Sequence, residues 1–242
     1  MRSSMEKVRI LELKKTILEN NDEDACLLRR ELAERGIFAV NVMSSPGAGK
    51  TTTLLRTIEK LKDDFRIGVM EADIDSDVDA LKIREAGIPA VQLHTGGMCH
   101  LDAQMTRQGL AAIGASGYAE GGIAVPPGDG AAAGEGPDLI FLENVGNLVC
   151  PAEFDTGCSM NVVIYSVPEG DDKPQKYPLM FEKADAVLIN KIDALPVFDF
   201  DMGTARSWVL KRNPNAQVFP VSARTGEGFD EWCSWLKDRI HG

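Results

Sequence analysis

The string at 44–51, SSPGAGKT, constrains this chain more than any other feature. It stands between a short apolar run, 37–43 (IFAVNVM), and a stretch in which Leu54, Leu55, Ile58 and Leu61 recur at helical spacing. A glycine-rich turn ending in Lys-Thr at a strand-to-helix junction is the setting of a phosphate-binding loop. Successive backbone N–H groups and the helix N-terminus wrap the β-phosphate there. Gly47, Ala48 and Gly49 form the turn, Lys50 is expected to reach the β/γ oxygens, and Thr51 to offer its hydroxyl to Mg²⁺, with Thr52 completing the cradle. The full pattern has glycine where this chain has Ser44, a departure that bears on loop geometry.

Such a loop needs a sheet behind it. Strand-like runs recur at 67–71, 89–93, 138–144, 161–167, 186–191 and 217–222, with helical patterns at 77–86, 100–112 and 203–212. A last helix, 228–240, carries Phe229, Trp232, Leu236 and Ile240 on one side. Alternating strands and helices predict an α/β fold: a P-loop NTPase with a mostly parallel central sheet flanked by helices. Upstream, 5–19 and 24–35 read as two helices. In the second, Ala25, Leu28 and Leu32 are at helical spacing and Gly36 stands at the C-terminal cap. They form an N-terminal helical appendage, 1–36, expected to pack on a core domain of 37–242. Between Gly114 and Gly136, 14 of 23 residues are Gly or Ala, with Pro126-Pro127 in the middle. A segment so poor in large side chains buries little surface and is expected to be a flexible insertion.

The charge balance narrows the partners. Lys+Arg number 26 against Asp+Glu 37, a net charge of −11, which argues against nucleic acid and against a polybasic membrane anchor. No window approaches the ~20 apolar residues of a membrane helix, and MRSSMEKVRILELKK lacks the apolar core of a signal peptide. Cys26, Cys99, Cys150, Cys158 and Cys233 form an odd, sparse set without a CxxC pair, which points to a reducing compartment, the cytoplasm.

Asn190-Lys191-Ile192-Asp193 closes the run AVLINK and resembles the NKxD motif of GTP-binding proteins. There Asp193 accepts hydrogen bonds from guanine while Asn190 and Lys191 pack the base and brace the phosphate loop. Ser222-Ala223-Arg224 resembles the third base-contacting loop of the same class. Three signals in that order make GTP the expected nucleotide and 37–242 a GTPase domain. For Mg²⁺ and catalysis, Asp73 follows one strand and Glu143 ends another, both at the carboxyl edge of a parallel sheet. Glu143-Asn144-Val145-Gly146 stands where many GTPases carry DxxG. Asp75, Asp77 and Asp79 crowd the same region, with Asp77 suited to an N-cap. No His or Gln stands out to orient the attacking water, so intrinsic hydrolysis is expected to be slow.

Cys99-His100 follows one strand and Cys150 another, on the same carboxyl edge. Thiolate plus imidazole suits Ni²⁺ or Zn²⁺. Three ligands leave a fourth position for water, His94 or a second subunit. Cysteines at strand ends also serve as small buried hydrophobes. Cys158 is near enough in sequence to be an alternative ligand, Cys26 and Cys233 read as packing residues, and His241 as exposed.

The strings GMCHLDAQM and ENVGNLVCP resemble HypB, the GTPase family that delivers nickel during maturation of [NiFe] hydrogenase, over about residues 8–240. The resemblance implies a P-loop protein of the nucleotide-dependent dimer class, related to UreG, whose Cys-Pro-His motif this chain lacks. It implies that Cys99, His100 and Cys150 form a metal site at or near a GTP-dependent homodimer interface. It also implies two partners, a nickel-handling accessory protein and the hydrogenase large-subunit precursor. No histidine precedes His94, so a nickel-storage role is not expected. The competing readings are a regulatory switch with a structural zinc, nickel delivery to another enzyme or a cobalamin-dependent mutase, and a small-molecule P-loop kinase.

Overall fold

The computed structural model describes residues 2–73, 83–84, 86–115 and 136–242. Seven strands form one sheet: β1 (Phe38–Ser44), β2 (Ile67–Asp73), β3 (Ala90–His94), β4 (Leu139–Glu143), β5 (Met160–Ser166), β6 (Ala186–Asn190) and β7 (Gln217–Pro220). The order is β3-β2-β4-β1-β5-β6-β7, and every pairing is parallel. Each strand expected from the apolar runs is present, because strands buried on both faces read as nearly continuous apolar segments.

The helices are α1 (Arg2–Glu34), α2 (Lys50–Leu61), α3 (Ala103–Ala115), α4 (Cys150–Glu153), α5 (Lys173–Lys176), α6 (Pro178–Glu182), α7 (Met202–Arg212) and α8 (Phe229–His241). On one face of the sheet, Leu54, Ile58 and Leu61 of α2 and Phe229, Trp232 and Leu236 of α8 cover Val40, Val42, Val69 and Phe141. The Trp232 indole donates to Thr57 Oγ1 at 3.1 Å, so its buried N–H is met. The opposite face carries α1 and α3, where Leu28 and Leu32 meet Met70, Ile140 and Leu142. Beside them α6 and α7 pack Met180, Phe181 and Val209 on Val163, Tyr165 and Val187.

The two N-terminal helices expected at 5–19 and 24–35 are one. The polar stretch 20–24 (NNDED) contains neither Gly nor Pro, and polarity alone does not break a helix. Gly36, at φ 66°, then turns the chain into β1. The helix expected at 77–86 and the insertion at 114–136 lie almost wholly outside the described residues, as do Asp75, Asp77 and Asp79. Helices α4, α5 and α6 escaped the periodicity reading because four or five residues are too few to show a helical repeat. Among the described residues no helix is long and apolar enough to cross a membrane.

This topology positions the site. Connections leave β1 toward β2 on one side and return to β5 on the other, so the crevice opens at the carboxyl end of β1. The described segments that follow β1, β3, β4, β6 and β7, with the candidate residues they carry, leave the sheet at that edge.

Candidate functional site

Gly49, at φ 91°, caps α2, and Gly47 also has a left-handed φ of 76°. A Cβ on Gly49 would stand 2.6 Å from Asn190 Nδ2, so this position excludes any side chain on two counts. The N–H groups of the first turn of α2 have no intrahelical acceptor, as at any helix start. Ser44, the departure from the glycine pattern, ends β1 fully buried and donates through Oγ to Ser45 O at 2.8 Å. Its φ is not among the positive values, so glycine is not required there. Ser45 in turn donates through Oγ to Glu169, whose other oxygen accepts from Ser166 N at 2.7 Å and Ser166 Oγ at 2.8 Å. Lys173 Nζ pairs with Glu169 at 3.1 Å. Sequence reasoning passed over this brace, which joins the phosphate loop to the loop after β5.

The strings expected to read the base do meet the 47–49 turn. Asn190 Nδ2 donates to Ala48 O at 2.9 Å, and its Oδ1 accepts from Ala223 N at 3.1 Å and Lys191 N at 2.7 Å. Lys191 takes φ 62°, the left-handed region, and its Nζ donates to Gly47 O at 2.6 Å. That backbone strain is held in place by the contact. Ser222 Oγ donates to Asp193 Oδ1 at 2.6 Å, which holds this exposed carboxylate. Thr52 is exposed on the first turn of α2.

Glu143 is almost fully buried at the end of β4. Its Oε1 accepts from Thr51 Oγ1 at 3.2 Å and lies 4.0 Å from Lys50 Nζ. A hydroxyl and a carboxylate at this spacing are hard oxygen donors suited to Mg²⁺. Gly146 lies beside them, where an added Cβ would stand 3.5 Å from Lys50 Nζ, an ordinary van der Waals contact. Asp73 ends β2 in register with His94, two strands from β1. Glu71, buried on β2 in register with Glu143, is a second carboxylate that sequence reasoning absorbed into a strand. An acidic residue inside the apolar run IGVMEAD was the available signal.

The residues expected to ligate metal are only partly assembled. Cys99 Sγ donates to Cys150 Sγ at 2.7 Å, too long for the ~2.05 Å of a disulfide. The Cys99 thiol, and then burial, push the Cys150 thiol above its ordinary value, while Asn147 Nδ2 contacts that sulfur at 3.5 Å. His100 does not join the pair. Its ring stacks on Phe154 at 3.6 Å between centroids, so the imidazole lies against the end of α4 rather than beside the sulfurs. Burial lowers its pKa, which favours the neutral, ligating form, and its buried Nδ1 has no hydrogen-bond partner. Among the described residues no group of three His, Cys, Asp or Glu side chains stands at metal-binding spacing, and His94 is exposed at the end of β3.

The other cysteines sort by burial. Cys158 is buried against α1 and its thiol is pushed up to about 12, so it is not an available thiolate. Cys233 is buried in α8 and pushed up to about 11. Cys26, expected to pack, is exposed instead, on the outer side of α1. His241 is exposed and stacks on Phe65.

Comparison with known proteins gives this geometry relatives. The family described as CobW/HypB/UreG, nucleotide-binding domain, matches residues 38–220. The chain is 46% identical over 233 residues to the hydrogenase maturation factor HypB of Rhizobium leguminosarum bv. viciae, covering 96% of this chain and 72% of that one. It superposes on a crystal structure of HypB from Helicobacter pylori in complex with nickel with a TM-score of 0.79 at 36% identity, covering 92% of this chain and 95% of the other. HypB from Archaeoglobus fulgidus gives a TM-score of 0.77 at 35% identity, over 92% of this chain and 99% of that one. The chain belongs to the HypB group of the CobW/HypB/UreG family of nucleotide-binding proteins.

Proposed function

We propose that this protein is a GTP-hydrolysing nickel metallochaperone that serves maturation of a [NiFe] hydrogenase in the cytoplasm. One observation carries the reading: a single segment, 143–150, runs from the carboxylate that meets Lys50 and Thr51 to the thiol that meets Cys99. The nickel in the related Helicobacter pylori HypB structure supports the choice of cargo.

Asp193, held by Ser222, accepts from guanine, and Asn190, Lys191 and Ala223 keep that loop joined to the phosphate loop. Lys50 and the first-turn N–H groups of α2 bind the phosphates. Thr51 and Glu143, with Asp73 from β2, are the residues to hold Mg²⁺, which when bound neutralises charge on the phosphates. Hydrolysis removes the group that the Glu143–Gly146 segment meets, and Cys150 moves with that segment relative to Cys99 and His100. Nickel affinity and GTP state are then linked, and for binding the linkage is reciprocal. Met98 and Val149, the exposed apolar neighbours of the two cysteines, suit a homodimer interface across which the fourth ligand is supplied. The accessory protein and the hydrogenase precursor follow from the family relationship.

A Ni²⁺ titration with the protein in GDP and then in a non-hydrolysable GTP analogue tests this reading. Different affinity or stoichiometry in the two states is expected, and Cys150→Ala is expected to lower the affinity at least tenfold. GTP binding on the same sample reports an intact fold. Coincident curves favour a regulatory switch with a structural zinc, and undiminished Ni²⁺ binding by Cys150→Ala removes the site assignment.

A further inference from the structure

Three asparagines form a hydrogen-bonded row across β4, β1 and β5. Asn144, fully buried one residue past Glu143, donates through Nδ2 to Asn41 Oδ1 at 3.1 Å, and Asn41 Nδ2 donates to Asn161 Oδ1 at 2.8 Å. Asn144 Oδ1 accepts from Val145 N at 2.9 Å and from Leu101 N at 3.3 Å. Leu101 is itself fully buried and directly follows Cys99-His100. One side chain thus holds the segment that meets the phosphate site and the loop that carries two metal residues. Its anchor, Asn41, lies on the strand that runs into the phosphate loop.

An amide side chain has two acceptor sites and two donors, and here both acceptor sites are used inside the protein. A backbone shift at Asn144 that preserves these bonds carries Leu101 with it. A shift that breaks them strands polar groups in a buried place, which the structure resists. Without this bond, chain continuity from Gly146 moves Cys150 alone. Building on the nucleotide-coupled nickel reading above, we infer that Asn144 is a positioning residue that transmits the nucleotide state to the Cys99–His100 loop. Both halves of the thiol pair then answer to the γ-phosphate.

Asn21 of α1 supplies a contrast. It accepts from Ala103 N at 3.1 Å and donates to Asp155 O at 2.9 Å, tying the start of α3 to the chain just past α4 without touching the phosphate site. Asn21 is a static clamp. Its loss weakens metal binding in both nucleotide states alike.

Adjacency is not coupling, so the test measures coupling itself. Ni²⁺ affinity is determined in GDP and in the non-hydrolysable GTP analogue for the parent, Asn144→Ala and Asn21→Ala. The parent ratio is expected within the roughly 5- to 150-fold span of coupled sites. Asn144→Ala is expected to bring the ratio close to one, and Asn21→Ala to lower both affinities while keeping the parent ratio. A parent-like ratio in Asn144→Ala overturns the relay and leaves the coupled reading intact. A parent ratio of one overturns both. A ratio lost equally in Asn21→Ala also overturns the relay, because general loosening then accounts for the effect. A second measurement needs no variant: the alkylation rate of Cys99 in the metal-free parent, resolved by peptide mass spectrometry in the two nucleotide states. A difference is expected, and equal rates overturn the proposal.

Discussion

Asp193, the residue proposed to read the base, is an exposed carboxylate held by its neighbours. Its Oδ1 is pinned by the Ser222 hydroxyl at 2.6 Å, and Ser222 Oγ also accepts from Thr225 N at 3.1 Å, so the exposed group has one orientation. A charge-assisted hydrogen bond contributes about 1.5–3 kcal/mol. Asp193→Ala is therefore expected to lower GTP affinity about 10- to 100-fold, toward that for ATP, at the 1.4 kcal/mol per decade of binding. Competition binding of the two nucleotides checks this, and an unchanged preference for GTP would remove Asp193 from the base site. Gly49 is constrained from the other side, by φ 91° and by the Asn190 amide against it. That the strings at 44–51, 190–193 and 222–224 would meet was legible because each is short and contiguous, with a backbone conformation that is part of its motif. Glu71 was not, since its place beside Glu143 depends on which strands pair and in what register.

Elements were read best where their period is long and clean. The seven apolar runs become seven strands because burial on both faces leaves no polar alternation to confuse them. The polar stretch 20–24 misled the reading of α1 as two helices, and the single helix packs on the sheet. Leu28 and Leu32 enter the core beside β4, Arg29 pairs with Asp155 at 2.6 Å, and Arg107 of α3 pairs with Glu31. Leu32→Ala is expected to cost about 2–5 kcal/mol, the range for truncating a buried leucine. Urea unfolding measures it, and a cost under about 1 kcal/mol would mean that α1 is loosely held.

The start of β4 is held by an ion pair with a pH signature. Arg66 donates from its backbone N and its Nε to Asp138 Oδ2, each at 3.1 Å, and this holds the Asp138 carboxyl below the usual carboxylate range. A carboxyl whose folded value is depressed stabilises the fold above its unfolded value and loses that contribution as pH falls through the folded value. The stability gap between parent and Asp138→Asn is therefore expected to be widest near neutrality and to narrow in acid below about pH 4. Urea midpoints across that range check it, and a constant gap would mean that Arg66 does not favour the charged form.

At the scale of the whole molecule, one edge of a parallel sheet brings together the residues proposed to hold nucleotide, Mg²⁺ and nickel, from six of the seven strands. Next to that edge, Met98 and Val149 leave apolar surface beside the thiol pair. Light scattering is expected to show the apparent mass doubling when the GTP analogue replaces GDP, with Val149→Asp preventing it. Equal masses in both states would remove GTP-driven dimerisation from the cycle. The sequence alone determined the fold class and marked the strings proposed to bind phosphate and base, because apolar periodicity and contiguous strings act over a few residues. The tertiary structure decided what lies between distant segments. It set Cys99 against Cys150 across 51 positions, turned His100 onto Phe154, and placed Asn144 under Leu101 across 43. Those contacts depend on strand order, register and side-chain packing, which only the assembled sheet specifies.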